Sequence, residues 1–194
     1  MGVIVLLSGG VDSLTLVTHA EREGVLVGAV FVDYGQPAHK QELRAVQAWR
    51  IRTGHQLFGY SATGFPLAGM ADPIGEAGPR VVPARNAMLA ALAASRAVMM
   101  GARTVWLGAT ADDHADYPDC RPAWIDAMSR TLELAYGVSL AAPFGHLVKR
   151  QVAAKATEWG VPLHDSWSCY TPGDDGGVCG TCNACVSTAA AVAA

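Results

Sequence analysis

Short uninterrupted runs of apolar residues recur along this chain, and they are rich in β-branched side chains. They occupy residues 3–7, 25–32 and 104–108, and weaker candidates lie at residues 55–60 and 139–142. Runs of this length and composition are typical of strands that are buried on both faces of a parallel sheet. The hydrophobic pattern therefore predicts a sheet of mostly parallel strands.

Between these runs, apolar residues return every three or four positions, which is the period of an amphipathic helix. The first helix is expected to begin near residue 13, because Leu14, Val17 and Ala20 keep this spacing. Strands that alternate with helices are typical of an α/β fold with an open, mostly parallel sheet. The other predicted helices cover residues 42–52, 87–100, 123–136 and 146–160.

A turn of small residues joins the first predicted strand to the first helix. Such a turn directs backbone N–H groups outward at the positive end of the helix dipole, which suits a phosphate or pyrophosphate. It is neither a Walker loop nor a GxGxxG loop, since both patterns are missing. A tight turn without a ligand would explain its glycines, but it explains its serines and aspartate less well. The turn consists of Ser8, Gly9, Gly10, Val11, Asp12 and Ser13.

Polar residues also follow the other predicted strands. Asp33 and Tyr34 come after the second strand, and an acidic segment at residues 109–122 comes after the third. Because the carboxyl ends of strands form the ligand crevice of an open α/β sheet, we expect these segments to lie near the small-residue turn. Ordinary strand-end turns and a solvated acidic loop are the alternatives. Arg85 and Lys149, at the starts of two predicted helices, are candidate anion contacts, although a helix cap also explains Arg85.

The composition limits the functions that this chain can have. Its 194 residues suffice for one domain with a sizeable core, and the Gly- and Pro-rich segment at residues 65–83 is interpreted as a functional loop or lid. The net charge of −3 provides no basic surface for nucleic acid. No apolar run approaches the length of about 20 residues that spans a membrane, and no charged segment precedes the first run. We therefore expect a cytoplasmic location, with no membrane and no nucleic-acid partner.

Four of the five cysteines cluster late in the chain with the spacing C-x9-C-x2-C-x2-C. Four thiolates can close a tetrahedral zinc site, which would be structural and would fasten the C-terminal tail. An iron–sulfur cluster uses the same ligands, and free buried cysteines are a third possibility. Cys120 lies apart from them, so a nucleophilic or a packing role stays open. The predicted ligands are Cys169, Cys179, Cys182 and Cys185, in a tail at residues 166–194 that follows an α/β domain at residues 1–165.

Several segments together resemble the 7-cyano-7-deazaguanine synthase (QueC) family of N-type ATP pyrophosphatases. SGGVDS at residues 8–13 is similar to the pyrophosphate loop of the whole superfamily. The resemblance spans nearly the whole chain and implies a doubly wound, Rossmann-like (adenine nucleotide alpha hydrolase-like) fold and a homodimer. The segments that narrow it to this family are DYGQ at residues 33–36, VPARN at 82–86, DYPDCRP at 116–122, SCY at 168–170 and CGTCNAC at 179–185.

The resemblance also implies a reaction in queuosine biosynthesis. The enzyme would use ATP, Mg²⁺ and ammonia to convert 7-carboxy-7-deazaguanine into the nitrile preQ0, with zinc in a structural role. The implied catalytic residues are Asp12, Arg85 and Lys149, with Asp12 orienting Mg²⁺. The implied ATP contacts are Leu7, Ser8, Gly9, Gly10, Val11, Asp12, Ser13 and Asp33. The implied contacts of the deazaguanine are Asp116, Tyr117, Asp119 and Arg121.

Some residues depart from the family pattern. Ala84 stands where the family has glycine, two residues separate Gln36 from His39, the segment at residues 65–83 is short, and the tail after Cys185 lacks an arginine. These departures leave open an enzyme that stops at the amide or adenylates another carboxylate, on a small molecule or on a protein. A tRNA-modifying pyrophosphatase and a non-enzymatic nucleotide-binding module are alternatives of other classes. The acidic net charge disfavours the first, and the polar segment after the third strand disfavours the second.

Overall fold

One parallel sheet forms the centre of the molecule, a computed structural model that describes residues 2–62 and 81–192. Within these residues the sheet has five strands, in the order β3-β2-β1-β4-β5. The first strand pairs in parallel with the second and the fourth, so it lies at the centre of the sheet. The strands are β1 (Val3–Leu6), β2 (Leu26–Asp33), β3 (Leu57–Ser61), β4 (Thr104–Trp106) and β5 (Ser139–Ala141).

Helices connect the strands and cover both faces of the sheet. Every helix that the apolar spacing predicts is present, with ends shifted by up to three residues. Two further helices, α4 and α7, carry no clear apolar period in the sequence. The helices of the described residues are α1 (Val11–Arg22), α2 (His39–Thr53), α3 (Arg85–Met100), α4 (Asp113–Asp116), α5 (Pro122–Tyr136), α6 (Lys149–Glu158) and α7 (Asn183–Val192).

Two apolar cores lie on opposite faces of the sheet. One core packs Leu14, Trp49 and Val152 from α1, α2 and α6 against the sheet. The other packs α3 and α5, where Ala90 and Ala97 are completely buried. The small side chains of α3 let this helix approach the sheet closely. Helices on both faces of a parallel sheet confirm the predicted doubly wound, Rossmann-like fold.

The order of the strands places a crevice beside β1. From β1 the chain moves outward through β2 to β3, and it then crosses to the other side of β1 to form β4 and β5. In open α/β sheets, ligands bind at the carboxyl ends of the strands where the order reverses. The loops after β1 and β4 meet at this point, as the sequence predicts.

The predicted loop at residues 65–83 lies outside the described residues except for its last three positions. In the part of the chain that the structure describes, none of the helices combines the length and the apolar character that a membrane span requires.

Candidate active site

Most of the predicted site residues line one cleft at the carboxyl edge of the sheet. The small-residue turn at residues 8–13, called the phosphate turn below after its predicted ligand, forms its floor, and residues from α3, α6 and the segment after β4 form its walls. Gly9, Asp33, Asp116, Asp119 and Arg121 do not line it, although each is adjacent in sequence to a residue that does. The predicted residues that line the cleft are Leu7, Ser8, Gly10, Val11, Asp12, Ser13, Arg85, Tyr117 and Lys149.

The phosphate turn requires glycine at one position. Gly9 has a φ angle of 84°, and a β-carbon added to it would lie 2.7 Å from the Ala45 β-carbon in α2. The positive φ angle and the close contact both exclude a larger residue. Gly9 thus lets the turn pack directly on α2 while Gly10 forms the N-cap of α1.

Hydrogen bonds to the buried Ser13 hydroxyl fix the conformation of the turn. It accepts hydrogen bonds from the N–H groups of Ser8 and Gly9 at 3.2 Å and 3.1 Å, and it donates to the Gly10 carbonyl at 3.1 Å. Ser13 is buried, whereas Ser8 is exposed to the cleft. Ser13 therefore shapes the loop, and Ser8 with the start of α1 presents polar groups to an anion.

A cluster of opposite charges lies beside this turn. The Lys149 ammonium, in the first turn of α6, lies 3.4 Å from an Asp113 carboxylate oxygen and 3.9 Å from an Asp12 oxygen. The second oxygen of Asp113 accepts hydrogen bonds from the N–H and hydroxyl of Thr110 at 2.9 Å and 2.8 Å. The Lys149 backbone N–H donates to Asp112 at 2.7 Å. The segment after β4 thus fixes Lys149 over the phosphate turn.

Two of the ionisable groups in this cluster, Asp12 and Lys149, respond differently to burial. Burial raises the pKa of Asp12 to about 6, and Lys149 only partly opposes the effect. Burial lowers the pKa of Lys149, but the carboxylates of Asp12 and Asp113 outweigh it and raise the pKa overall. Lys149 therefore stays a cation, whereas burial raises the pH at which Asp12 loses its proton.

Arg85, the first residue of α3, provides a second cation in the cleft. Burial lowers its pKa, but the hydroxyls of Tyr34 and Tyr170 and the carboxylate of Asp119 outweigh this and raise it. Its Nε donates to the Asn86 side chain at 3.2 Å, and the Asn86 amide donates to the Asp119 carbonyl at 3.4 Å. Arg85 is thus held beside the hydroxyls of Tyr34 and Tyr170 and stays charged.

The predicted deazaguanine contacts occupy different positions. Tyr117 lines the cleft, and its hydroxyl lies 3.4 Å from that of Tyr170, while Asp119 acts electrostatically on Arg85. Asp116 borders a neighbouring opening between α4 and α7. Arg121 is exposed and donates to the His114 and Ala115 carbonyls at 2.8 Å and 3.3 Å. These bonds tie Arg121 to the loop that carries Tyr117.

Asp33, a predicted ATP contact, bonds to its own loop. Its carboxylate accepts the N–H of Gly35 at 2.9 Å and lies 3.4 Å from His39 Nδ1. The buried Gln36 side chain donates to the Val32 carbonyl at 3.1 Å and accepts the Tyr34 N–H at 2.9 Å. This network orders the loop after β2 at the edge of the cleft.

Sequence reasoning missed several residues of the cleft. Glu42, in the first turn of α2, accepts a hydrogen bond from Gln36 at 2.9 Å, and burial raises its pKa to about 7. A carboxylate near a helix start signals only a favourable dipole interaction, so the sequence did not single it out. Nothing in the sequence distinguishes Asp113 from the other aspartates of its segment. Tyr170 follows the predicted metal ligand Cys169, and its own role was not apparent. Tyr34 lines the cleft, as its position after the second strand predicts, and the lining residues that the sequence did not single out include Gln36, Glu42, Asp113, Trp167, Ser168 and Tyr170.

Cys120 is part of a core and also lines the cleft. It is buried among the apolar residues between α3 and α5, and the Asn86 amide lies 3.5 Å from its sulfur. Burial raises the pKa of its thiol to about 12. Because the thiolate is the nucleophilic form, these surroundings favour the packing role.

The four late cysteines converge on one point. Their sulfur atoms all lie within 4.8 Å of one another, and those of Cys179 and Cys185 are 3.9 Å apart. A tetrahedral ion with Zn–S bonds of about 2.3 Å places its ligands about 3.8 Å apart. A four-iron cluster spreads its cysteine sulfurs farther, since each binds a different iron. The cluster therefore fits a single metal ion.

Backbone N–H groups support this cysteine cluster. Cys179 donates to the Cys169 sulfur and Cys182 donates to the Cys179 sulfur, both at 3.3 Å. Hydrogen bonds of this kind stabilise thiolates and orient metal ligands. Cys169 is almost completely buried. The donor set suits a closed, structural metal site.

Comparisons with known proteins agree with these features. The family model described as queuosine biosynthesis protein QueC matches residues 2–58 and 70–194. A 7-cyano-7-deazaguanine synthase of Thiobacillus denitrificans is 39% identical over 200 residues, which cover 94% of this chain and 89% of that protein. A protein of the same name from Novosphingobium aromaticivorans is 36% identical, covering 94% of this chain and 85% of that protein.

Solved structures share the fold at lower identity. The U34-tRNA thiolase NcsA from Methanococcus maripaludis, with its [4Fe-4S] cluster, has a TM-score of 0.60 at 16% identity, covering 88% of this chain and 60% of that one. The NH3-dependent NAD synthetase from Campylobacter jejuni has a TM-score of 0.52 at 17% identity, covering 84% of this chain and 66% of that one. At such identities the likeness establishes the architecture alone.

Proposed function

The chain belongs to the QueC family of queuosine biosynthesis proteins, and we propose on that premise that its cleft makes 7-cyano-7-deazaguanine. The substrates are 7-carboxy-7-deazaguanine, ammonia and ATP, so the protein is an ATP-dependent carbon–nitrogen ligase. The observation that carries this proposal is the family match, which includes both the phosphate turn and the cysteine tail. These two segments meet at one cleft in the fold.

The reaction must activate a poor acyl donor, because a carboxylate has no good leaving group. The carboxylate oxygen attacks the α-phosphorus of ATP, which releases pyrophosphate and leaves an acyl adenylate. Ammonia then displaces AMP and loses a proton, which gives the amide. The amide oxygen attacks a second ATP, which releases pyrophosphate, and loss of AMP and of both amide protons then leaves the nitrile. The protein must therefore align ATP with the acceptor and offset negative charge at phosphorus.

The phosphate turn and Lys149 supply the positive groups that offset this negative charge. We assign the β- and γ-phosphates to the N–H groups at the start of α1, and the developing charge to the Lys149 ammonium. Asp12 and Asp113, which flank this ammonium at 3.9 Å and 3.4 Å, would hold Mg²⁺. The ion would neutralise phosphate oxygens when bound.

The residues around Arg85 suit the carboxylate substrate that accepts the adenylate. Arg85 is held among Tyr34, Tyr170 and Asp119, where its guanidinium can bind the anionic groups that meet when the carboxylate attacks phosphorus. We propose Tyr117 as a contact of the deazaguanine, and Asp119, which does not line the cleft in this structure but acts on Arg85, as a second contact, with Arg121 and Asp116 supporting the outer loop. A carboxylate such as Asp119 matches the N–H donors of a guanine-like ring.

The cysteine cluster and the exposed surface support two narrower proposals. We propose that the cluster holds zinc, since a mononuclear site with four thiolates fits its sulfur spacing. We also propose a cytoplasmic homodimer, for which exposed apolar side chains near the ends of α3 and α5, among them Met99, Leu134 and Tyr136, are the candidate contacts.

An AMP-release assay tests the proposed function. Purified protein is incubated with ATP and Mg²⁺, and AMP, ADP and pyrophosphate are measured with and without 7-carboxy-7-deazaguanine. We expect AMP and pyrophosphate only when the carboxylate is present. Release with a different carboxylate alone would favour the alternative acceptor, and release with tRNA alone would favour a tRNA-modifying enzyme. Formation of ADP would contradict the adenylation chemistry.

A further inference from the structure

One residue, Trp167, lies between the cysteine cluster and the phosphate turn and is bonded to both. Its backbone N–H donates to the Gly9 carbonyl at 2.8 Å, and its indole N–H donates to the Cys169 carbonyl at 2.8 Å. We infer that Trp167 is a positioning residue, through which metal binding at the cysteine cluster shapes the phosphate turn and strengthens nucleotide binding. This inference rests on the proposed binding of ATP at that turn.

The bond to Gly9 orients the donor that follows it. In a planar trans peptide group, the carbonyl of one residue and the N–H of the next point in opposite directions. Because Trp167 holds the Gly9 carbonyl, the Gly10 N–H is directed the opposite way, toward the Ser8 hydroxyl at 3.5 Å. Gly10 is the N-cap of α1 and lines the cleft. Trp167 thus fixes a backbone donor at the position where an anion would bind.

The tail also packs against the turn. A β-carbon added to Gly10 would lie 3.5 Å from the Trp167 carbonyl oxygen and 3.6 Å from the Ser168 hydroxyl. Trp167, Ser168 and Tyr170 all line the cleft. The segment beside the first cysteine is therefore a wall of the nucleotide site itself.

The indole bond connects this wall to the metal ligands. Cys169 is only 1% exposed, and its sulfur lies within 4.8 Å of the other three cysteine sulfurs. A bound ion holds the four sulfurs in one geometry and so fixes the Cys169 backbone, to which the indole is bonded. Without the ion, only hydrogen bonds hold the segment from Trp167 to Tyr170, among them the bond from the Trp167 N–H to Gly9. The segment would then hold the phosphate turn in a less defined position.

The variant Trp167→Phe tests this coupling between the cysteine cluster and the phosphate turn, since it removes the indole donor and keeps the backbone N–H and an aromatic ring. Binding of the non-hydrolysable analogue α,β-methylene ATP with Mg²⁺ is measured by calorimetry, together with zinc content. We expect full zinc content and a Kd that is raised about fivefold, as loss of one hydrogen bond predicts. The matched control is Trp49→Phe, which also loses an indole bond, to Glu21 at 2.9 Å, but lies in a core. It should bind the analogue normally.

A reciprocal measurement separates coupling from a general loss of packing. If metal and nucleotide are coupled, the analogue must strengthen zinc binding by the factor by which zinc strengthens analogue binding. We expect saturating α,β-methylene ATP to raise the zinc affinity, measured against a competing chelator, in the natural protein but not in Trp167→Phe. The calorimetric titration uses the zinc-loaded protein, so unfolding of a metal-free form does not affect the Kd of the analogue.

Two outcomes would overturn the proposed positioning role of Trp167. One is an unchanged Kd for the analogue in Trp167→Phe, and the other is an equal effect of the analogue on zinc affinity in both proteins. Failure of the natural protein to bind the analogue would instead contradict the proposed function. The two failures are therefore distinguishable.

Discussion

The Lys149 ammonium lies 3.9 Å from the Asp12 carboxylate, and this contact joins the first turn of α6 to the first turn of α1. A lysine at a helix start opposes the helix dipole. The sequence therefore suggested that Lys149 meets an anion. In the structure the nearest anions are Asp12 and Asp113, and the lysine stands beside the turn that is suited to phosphate.

Replacement of Lys149 by methionine should lower the rate of adenylation by two to three orders of magnitude, as for other removed charge-stabilising groups. The measurement is carboxylate-dependent pyrophosphate release under saturating ATP. Lys155→Met is the matched control, because Lys155 lies on the same helix, 5.1 Å from the Trp159 ring. A Lys149→Met protein with normal turnover would contradict the assigned role.

Glu42 should make the fold less stable as the pH rises. Burial raises its pKa from 4.5 to about 7, so between these values the folded state binds more protons than the unfolded state. Stability contributed by this group is therefore present below pH 4.5 and is lost as the pH rises toward 7. Urea unfolding at pH 5 and pH 8 should give a smaller loss of stability for Glu42→Gln than for the natural protein.

The same experiment on Glu158→Gln provides the control, because Glu158 is exposed at the end of α6. Its pH dependence should match that of the natural protein. A Glu42→Gln protein with an unchanged pH dependence would show that the carboxyl group is not buried in solution.

Replacement of Ala84 by glycine should stabilise the protein by about 0.5–1 kcal/mol. Ala84 has a φ angle of 60° at the N-cap of α3, and a left-handed conformation costs a residue with a β-carbon about 1–2 kcal/mol. The greater backbone entropy of glycine offsets part of the gain. Thermal unfolding measures the difference. Ala91→Gly, at an exposed position inside α3, should instead cost about 1 kcal/mol.

Replacement of Cys182 by alanine should abolish stoichiometric zinc binding, because a tetrahedral site would lose one of four ligands. Zinc content by mass spectrometry and the melting temperature are the measurements. Cys120→Ala is the control, and it should keep both zinc and turnover at a cost of about 1 kcal/mol in stability. Loss of turnover in this control, with the fold intact, would restore a nucleophilic role for Cys120.

The architecture was predictable because local patterns determine it. The apolar runs of β1 and β2 and the spacing of α1 are visible without knowledge of their neighbours. The four-residue α4 has too few positions to show a period, and α7 contains the last of the clustered cysteines and continues into an alanine-rich tail. Neither helix could be located from periodicity.

The candidate site was only partly predictable, since several of its contacts join residues far apart in sequence. Arg121 has the right chemistry for a carboxylate, but in the fold it binds the carbonyls of its own loop. Tyr170 gains its place from the cysteine cluster and from Tyr117, 53 residues earlier. No motif encodes such partners, so the second wall of the cleft became visible only in three dimensions.

The most direct test of the central claim follows the nitrogen atom into the product. The protein is incubated with ATP, Mg²⁺, ¹⁵N-ammonium and 7-carboxy-7-deazaguanine, and the products are identified by mass. The account predicts ¹⁵N-labelled 7-cyano-7-deazaguanine, with two molecules of AMP formed for each nitrile. An unlabelled product, or no AMP and no nitrile from this substrate, would contradict it.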